Sequence, residues 1–144
     1  MRYYFLMITI IIAVVSCGGN KVLILYEGER KPIEDVATIE IDNVYLMSID
    51  TLHRKYQAFS EKHIEVLPGQ HSISVNYNRL IGNIKRVSSE PIVLTFNAER
   101  GHKYLVKARS GLHFWTSWIF DLANDSLVAG STDFNDKDHR GYLK

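Results

Sequence analysis

Apolar and polar residues alternate with a period of two over much of this chain, the signature of half-buried β-strands. In "VATIEID", Ala37, Ile39 and Ile41 fall on one side; Val36, Thr38, Glu40 and Asp42 fall on the other. "VYLMSID" (44–50) continues after Asn43, a turn residue. In "HIEVLPGQHSISVNYN", Ile64 and Val66 alternate with His63, Glu65 and Leu67, then Ile73, Val75 and Tyr77 with Ser72, Ser74 and Asn76. Pro68-Gly69 between them suits a type II turn, because proline presets φ and glycine tolerates positive φ. The pattern predicts a hairpin here.

"IVLTFNAERGHKYLVKAR" predicts a second hairpin. Ile92, Leu94, Phe96 and Ala98 lead to a turn at Gly101, and Tyr104, Val106 and Ala108 return, with Lys103, Leu105, Lys107 and Arg109 opposite. A third is expected where "AND" separates "WIFDL" from "SLVAG". "EGERKPIED", with Gly28 and Pro32, reads as a loop. "LHRKYQAFSEKH" places Leu52, Tyr56 and Phe59 at helical spacing. A short amphipathic helix and a strand with a long loop both fit residues 52–63.

About seven or eight short antiparallel strands with regular turn signals predict an all-β protein, a single β-sandwich over residues 22–132. A small barrel is the structural alternative. The polar stretch 133–144 reads as a flexible tail.

The beginning of the chain breaks the alternation. Arg2 is followed by an almost unbroken apolar run from Tyr3 to Val15 and the small residue Ser16. A positive start, an apolar run and a small residue make residues 1–16 a secretory signal peptide. The run is shorter than the roughly 20 residues a membrane span needs. Cys17, the sole cysteine, stands directly after it, so the chain can form no internal disulfide.

"VVSC" resembles the lipobox of bacterial lipoproteins. That resemblance implies cleavage between Ser16 and Cys17 and diacylglycerol on the Cys17 thiol, with palmitate-type acyl chains holding the protein on the membrane. The competing reading is a plain signal peptide that ends beside a cysteine. Residues 17–21 would be a lipidated tether, its four residues after Cys17 reaching about 14 Å when extended. Gly18 rather than aspartate after the cysteine implies the outer membrane in a Gram-negative cell.

The chain carries 17 Lys+Arg and 16 Asp+Glu; residues 1–16 hold Arg2 and no acid, so residues 17–144 are formally neutral. There is no basic excess to attract nucleic acid, and membrane attachment rests on the lipid.

"LYEGERKPIEDVATI", "IEVLPGQHSISVNY", "FNAERGHKYLVKA" and "WIFDLANDSLVAG", in that order, resemble a group of small bacterial envelope lipoproteins of unassigned activity. The middle block is also similar to the "LPGxH" hairpin of PEGA-type surface modules. The likeness runs from about Leu25 to Gly130. It implies an Ig/transthyretin/PEGA-like sandwich and no catalytic residue.

Candidate chemistry is sparse. His53, His63, His71, His102, His113 and His139 form no HxH or HxxxH spacing. His71 and His102 each follow a glycine-containing turn and could meet at one end of a sandwich, where ring bonds to local backbone compete with a shared metal. No GxSxG elbow or phosphate loop occurs, and Glu34-Asp35 and Asp136/Asp138 lie in hydrophilic stretches. No cofactor motif is found.

In "HFWTSWIF" the alternation puts Phe114, Thr116, Trp118 and Phe120 on the face expected to be core. His113, Trp115, Ser117 and Ile119 then lie opposite. Trp115 and Ile119 would thus be a surface contact for a glycan, lipid or envelope protein; packing of Trp115 under the tail or a loop is the competing reading. The function expected is a non-catalytic, membrane-anchored binding or structural module of the envelope. A periplasmic small-ligand carrier, requiring an apolar cavity, and an envelope enzyme are the alternatives.

Overall fold

The computed structural model describes residues 21–53, 61–111, 113–132 and 140–142. Residues 1–16, expected to be a signal peptide, together with Cys17 and the central part of the 52–63 segment, lie outside these residues. The fold is all-β, as the alternation predicts, and holds no α-helix among the described residues.

Seven strands form one mixed sheet. Its order is β1 (Val22–Ile24), β5 (His63–Val66), β2 (Ala37–Ile41), β10 (Lys103–Ser110), β11 (Phe114–Asp121), β12 (Ser126–Gly130). The seventh, β13 (Arg140–Tyr142), pairs with the first half of β11, along the edge whose second half takes β12. The pairings β1–β5 and β2–β10 are parallel; the others are antiparallel. A four-stranded antiparallel sheet, β4 (Leu52–His53), β3 (Tyr45–Ile49), β6 (Gly69–Asn76), β9 (Ile92–Ala98), faces it. The ribbon β7 (Asn78–Ile81) and β8 (Ile84–Val87) belongs to neither.

Outside β11, the inner faces are the ones read from the sequence. Ala37, Ile39 and Ile41, Ile64 and Val66, and Tyr104, Val106 and Ala108 meet Ile73, Val75, Leu94 and Phe96 in one core. Side chains on alternate positions of both sheets fill the space between them, as in other sandwiches.

The pairing differs from expectation in two places. β5 and β6 do not form a hairpin: β5 pairs with β1 and β2, whereas β6 pairs with β3 and β9. "LPG" therefore steps the chain from one sheet to the other, with Gly69 at φ 137. β9 and β10 likewise lie in different sheets. The corner between them is pinned by Gly101 N donating to Val36 O (2.7 Å) and Thr38 N donating to His102 O (3.0 Å). The physical reason is common to both. Each strand buries one full face, and a short connection can satisfy that by crossing over the core as readily as by folding back. The third expected hairpin is present as β11–β12.

Two further differences concern segments. Leu52–His53 is a short strand on the edge of the smaller sheet, and residues 54–60 lie outside the described part. Residues 140–142 are not free tail: Tyr142, Gly141 and Arg140 pair with Phe114, Trp115 and Thr116, because the first half of β11 would otherwise expose unpaired backbone groups.

Candidate functional site

Trp115 and Ile119 are not a surface contact. Both are fully buried, and β11 faces the core with Trp115, Ser117, Ile119 and Asp121. The indole of Trp115 stacks on Tyr77 at 5.9 Å with 28° between the planes. Tyr77 is held in turn by its hydroxyl, 2.8 Å from Ser110 Oγ.

The polar residues on this inner face explain why alternation pointed the wrong way. Ser117 donates to Lys107 O (2.7 Å), and Asp121 sits at the strand end, accepting from Ala123 N (2.9 Å) and Asn124 Nδ2 (3.1 Å). Trp118 and Phe120 instead point outward and are half-buried. On that outer face the register sets Leu105, Phe120 and Leu127 side by side, with Leu127 exposed.

Corners of the sandwich carry His71 and His102. His71 Nδ1 lies 2.7 Å from Asp50 Oδ2, and its Nε2 lies 2.7 Å from Leu67 O. His102 Nδ1 lies 2.8 Å from Asp121 Oδ2, with Glu99 Oε2 at 3.7 Å from Nε2. The Asp121 hydrogen bond, aided by the charges of Asp121 and Glu99, raises the His102 pKa above its ordinary value against a smaller opposing effect of burial. His71 and His102 occupy the same end of the sandwich. Phe96 and Tyr104 lie between them, ring to ring, at 6.3 Å from His71 to Phe96, 5.0 Å from Phe96 to Tyr104 and 6.3 Å from Tyr104 to His102. His71 and His102 do not meet, and no group of three His, Cys, Asp or Glu is placed to hold a metal ion among the described residues.

A shallow cleft of about 350 Å³ crosses the outer face of the larger sheet between Arg30, Glu65, His63, His102 and Lys103. Its floor is Glu65, a buried carboxylate. Arg30 reaches both oxygens, with Nε at 3.2 Å from each and an Nη2 contact to Oε1; the Tyr26 hydroxyl donates to Oε2 at 3.0 Å. The Arg30 hydrogen bonds hold the Glu65 carboxyl below the usual carboxylate range, and Tyr26 adds to this. An ionised carboxylate so enclosed is a poor proton donor. What it does is tie the 25–35 loop across β5. Beside it, Lys103 Nζ lies 2.7 Å from Glu40 Oε2 and lowers that carboxyl too.

Val22 pairs with His63, and the adjoining Lys62 lines a cavity of about 370 Å³ with Asn43, Val44, Tyr45, Asn78 and Arg79. Lys62, the residue before β5, thus lies beside the base of the β7–β8 ribbon. The sequence pattern did not reveal this ribbon, although "LIGNIK" carried a signal for it. Gly82, at φ 59, takes the first position of a two-residue turn, where a type II′ hairpin wants glycine.

A family model described as "Uncharacterized protein conserved in bacteria (DUF2057)" matches residues 41–112, half of the chain. No curated protein and no solved structure matches.

Proposed function

The chain belongs to that family of bacterial proteins, and we propose that it is a lipid-anchored envelope lipoprotein whose sandwich is a non-catalytic binding or structural module. The observation that carries this reading is "VVSCGG". An apolar run with one leading cation ends at a small residue and the sole cysteine of the chain, the order that export and acylation require. Two or three acyl chains on Cys17 give stable attachment, each buried CH₂ contributing about 0.8 kcal/mol. The strand at Val22 begins five residues later, so the sandwich rides close to the bilayer.

The ionisable groups that approach one another on the sandwich support the non-catalytic reading. Glu65, Asp121 and Asp50 are each bonded to a cation or imidazole that fixes a loop or corner. The filled interior weighs against a small-ligand carrier: Trp115, Tyr77, Tyr104, Leu46 and Leu94 are packed with almost no exposure. The outward Trp118 and Phe120 are the surface offered to an envelope protein or glycan.

Feeding cells an alkyne analogue of palmitate tests the anchor. The wild-type chain should take up label and fractionate with membranes, and Cys17→Ala should do neither. Label retained in Cys17→Ala, or an unmodified mature N-terminus in the mass spectrum, would sink the proposal. Crosslinking in intact cells, followed by mass spectrometry of what is attached, identifies the partner.

A further inference from the structure

A two-stranded ribbon alone is marginal in water, yet β7–β8 pairs with neither sheet. Its tip is also the wrong composition for solvent. Leu80 is 69% exposed and Ile84 65% exposed, among the most exposed large apolar side chains described. The register places them on opposite faces of the ribbon: Leu80 stands opposite Lys85, and Ile84 opposite Ile81. A hairpin that docks on a folded partner needs one apolar face. A hairpin apolar on both faces suits a medium that surrounds it.

The charges agree with that medium. Residues 78–87 contain Arg79, Lys85 and Arg86 and no acid, in a chain that is formally neutral beyond its leader. Arg86 also donates to Gly111 O (2.9 Å), which braces the ribbon's base against the β10–β11 connection. Lysine and arginine next to an apolar tip can lie along acyl chains while their charged heads reach anionic phosphates. Of the acids near this end, Asp42 is paired with Lys107 (3.5 Å) and Glu61 has a partner of its own; Glu90 is exposed.

The position agrees as well. Lys62, one residue before the strand partner of Val22, lines the same cavity as Asn78 and Arg79 at the base of the ribbon. We propose that the β7–β8 ribbon is a second membrane contact, its tip inserted into the anionic leaflet to which Cys17 is attached. This rests on the reading of Cys17 as acylated. Two attachments would fix the orientation of the sandwich on the membrane, which a single attachment cannot do.

The test uses the mature acylated chain in phosphatidylcholine–phosphatidylglycerol vesicles. An environment-sensitive fluorophore is placed at the tip by Asn83→Cys or, as a control, at the far end by Gln70→Cys. The tip label should be quenched by brominated lipid and shielded from iodide, and the Gln70→Cys label should show the reverse. Leu80→Asp combined with Ile84→Asp should abolish tip quenching while flotation with vesicles persists; circular dichroism checks that the fold is kept. A floating, acylated protein whose tip label stays open to iodide overturns the ribbon proposal and leaves the anchor intact. If mass spectrometry finds no acyl group, the anchor reading fails instead. The labelled Cys17→Ser chain then decides the ribbon alone: tip quenching on anionic vesicles supports insertion, and its absence overturns it.

Discussion

Tyr77 and Trp115 stack across the core at 5.9 Å, so the residue that leads into the ribbon is packed against the strand that anchors the larger sheet. Among the described residues, Trp115 Nε1 is buried without a hydrogen-bond partner. The indole thus contributes packing and not a polar link.

Trp115→Ala should therefore cost about 3–5 kcal/mol, the range for removing a large buried aromatic. Trp115→Phe should cost clearly less, because it also removes an unsatisfied donor whose burial is worth about 1–3 kcal/mol. Urea denaturation of both variants measures this, and equal losses would refute the packing argument.

Gly130 sits at φ 77 where a Cβ would lie 2.2 Å from Ser117 O and 2.9 Å from Leu94 Cδ2. The first neighbour is backbone and cannot move aside. Gly130→Ala should lower stability by at least about 2 kcal/mol, combining positive-φ strain with the clash. A falling denaturation midpoint at unchanged slope is the expected record; an unshifted midpoint contradicts it.

Glu65 titrates below its ordinary value because Arg30 and Tyr26 bond its charged form. A depressed carboxylate contributes stability above its unfolded pKa of about 4.3 and loses it as pH falls through the lower folded value. The advantage of wild type over Glu65→Gln should be full at neutral pH and shrink from about pH 5 downward. Melting temperatures across that range test the sign, and a constant gap would show that Arg30 does not recognise the charge.

His102 has the opposite sign. Its pKa is raised, chiefly by Asp121, so its charged form supports the fold below the ordinary value of about 6.5, and that support is lost as pH rises through the raised folded value. Proton NMR of the imidazole should show a midpoint above about 6.5 in the wild type, moving down in Asp121→Asn. A midpoint that ignores Asp121→Asn would assign the shift elsewhere.

Strand positions and most inner faces were legible in the sequence, because burial of one face imposes a period of two. Ile39, Ile64, Ile73, Leu94 and Val106 all fall where alternation puts them. Partners were not legible. Alternation says which face is buried and nothing about whether the next strand lies beside or across, so "LPG" and "ERGH" looked like hairpin turns. β11 misled for a related reason. Both its faces carry large apolar groups, and the inner one also holds Ser117 and Asp121, whose hydrogen bonds come from distant residues and corners. A one-position error in a period of two inverts every side chain, which is how Trp115 and Trp118 exchanged places. The lipidation expected at Cys17 falls outside the described residues.

The chain's passage between sheets also has a kinetic meaning. β2 finds one neighbour in β10, with Thr38 beside Lys103, and cannot complete its sheet until that late segment has emerged. Pairings of such long sequence separation close slowly. The larger sheet therefore closes after β10 has been made, later than the β3–β6–β9 pairings of the smaller one.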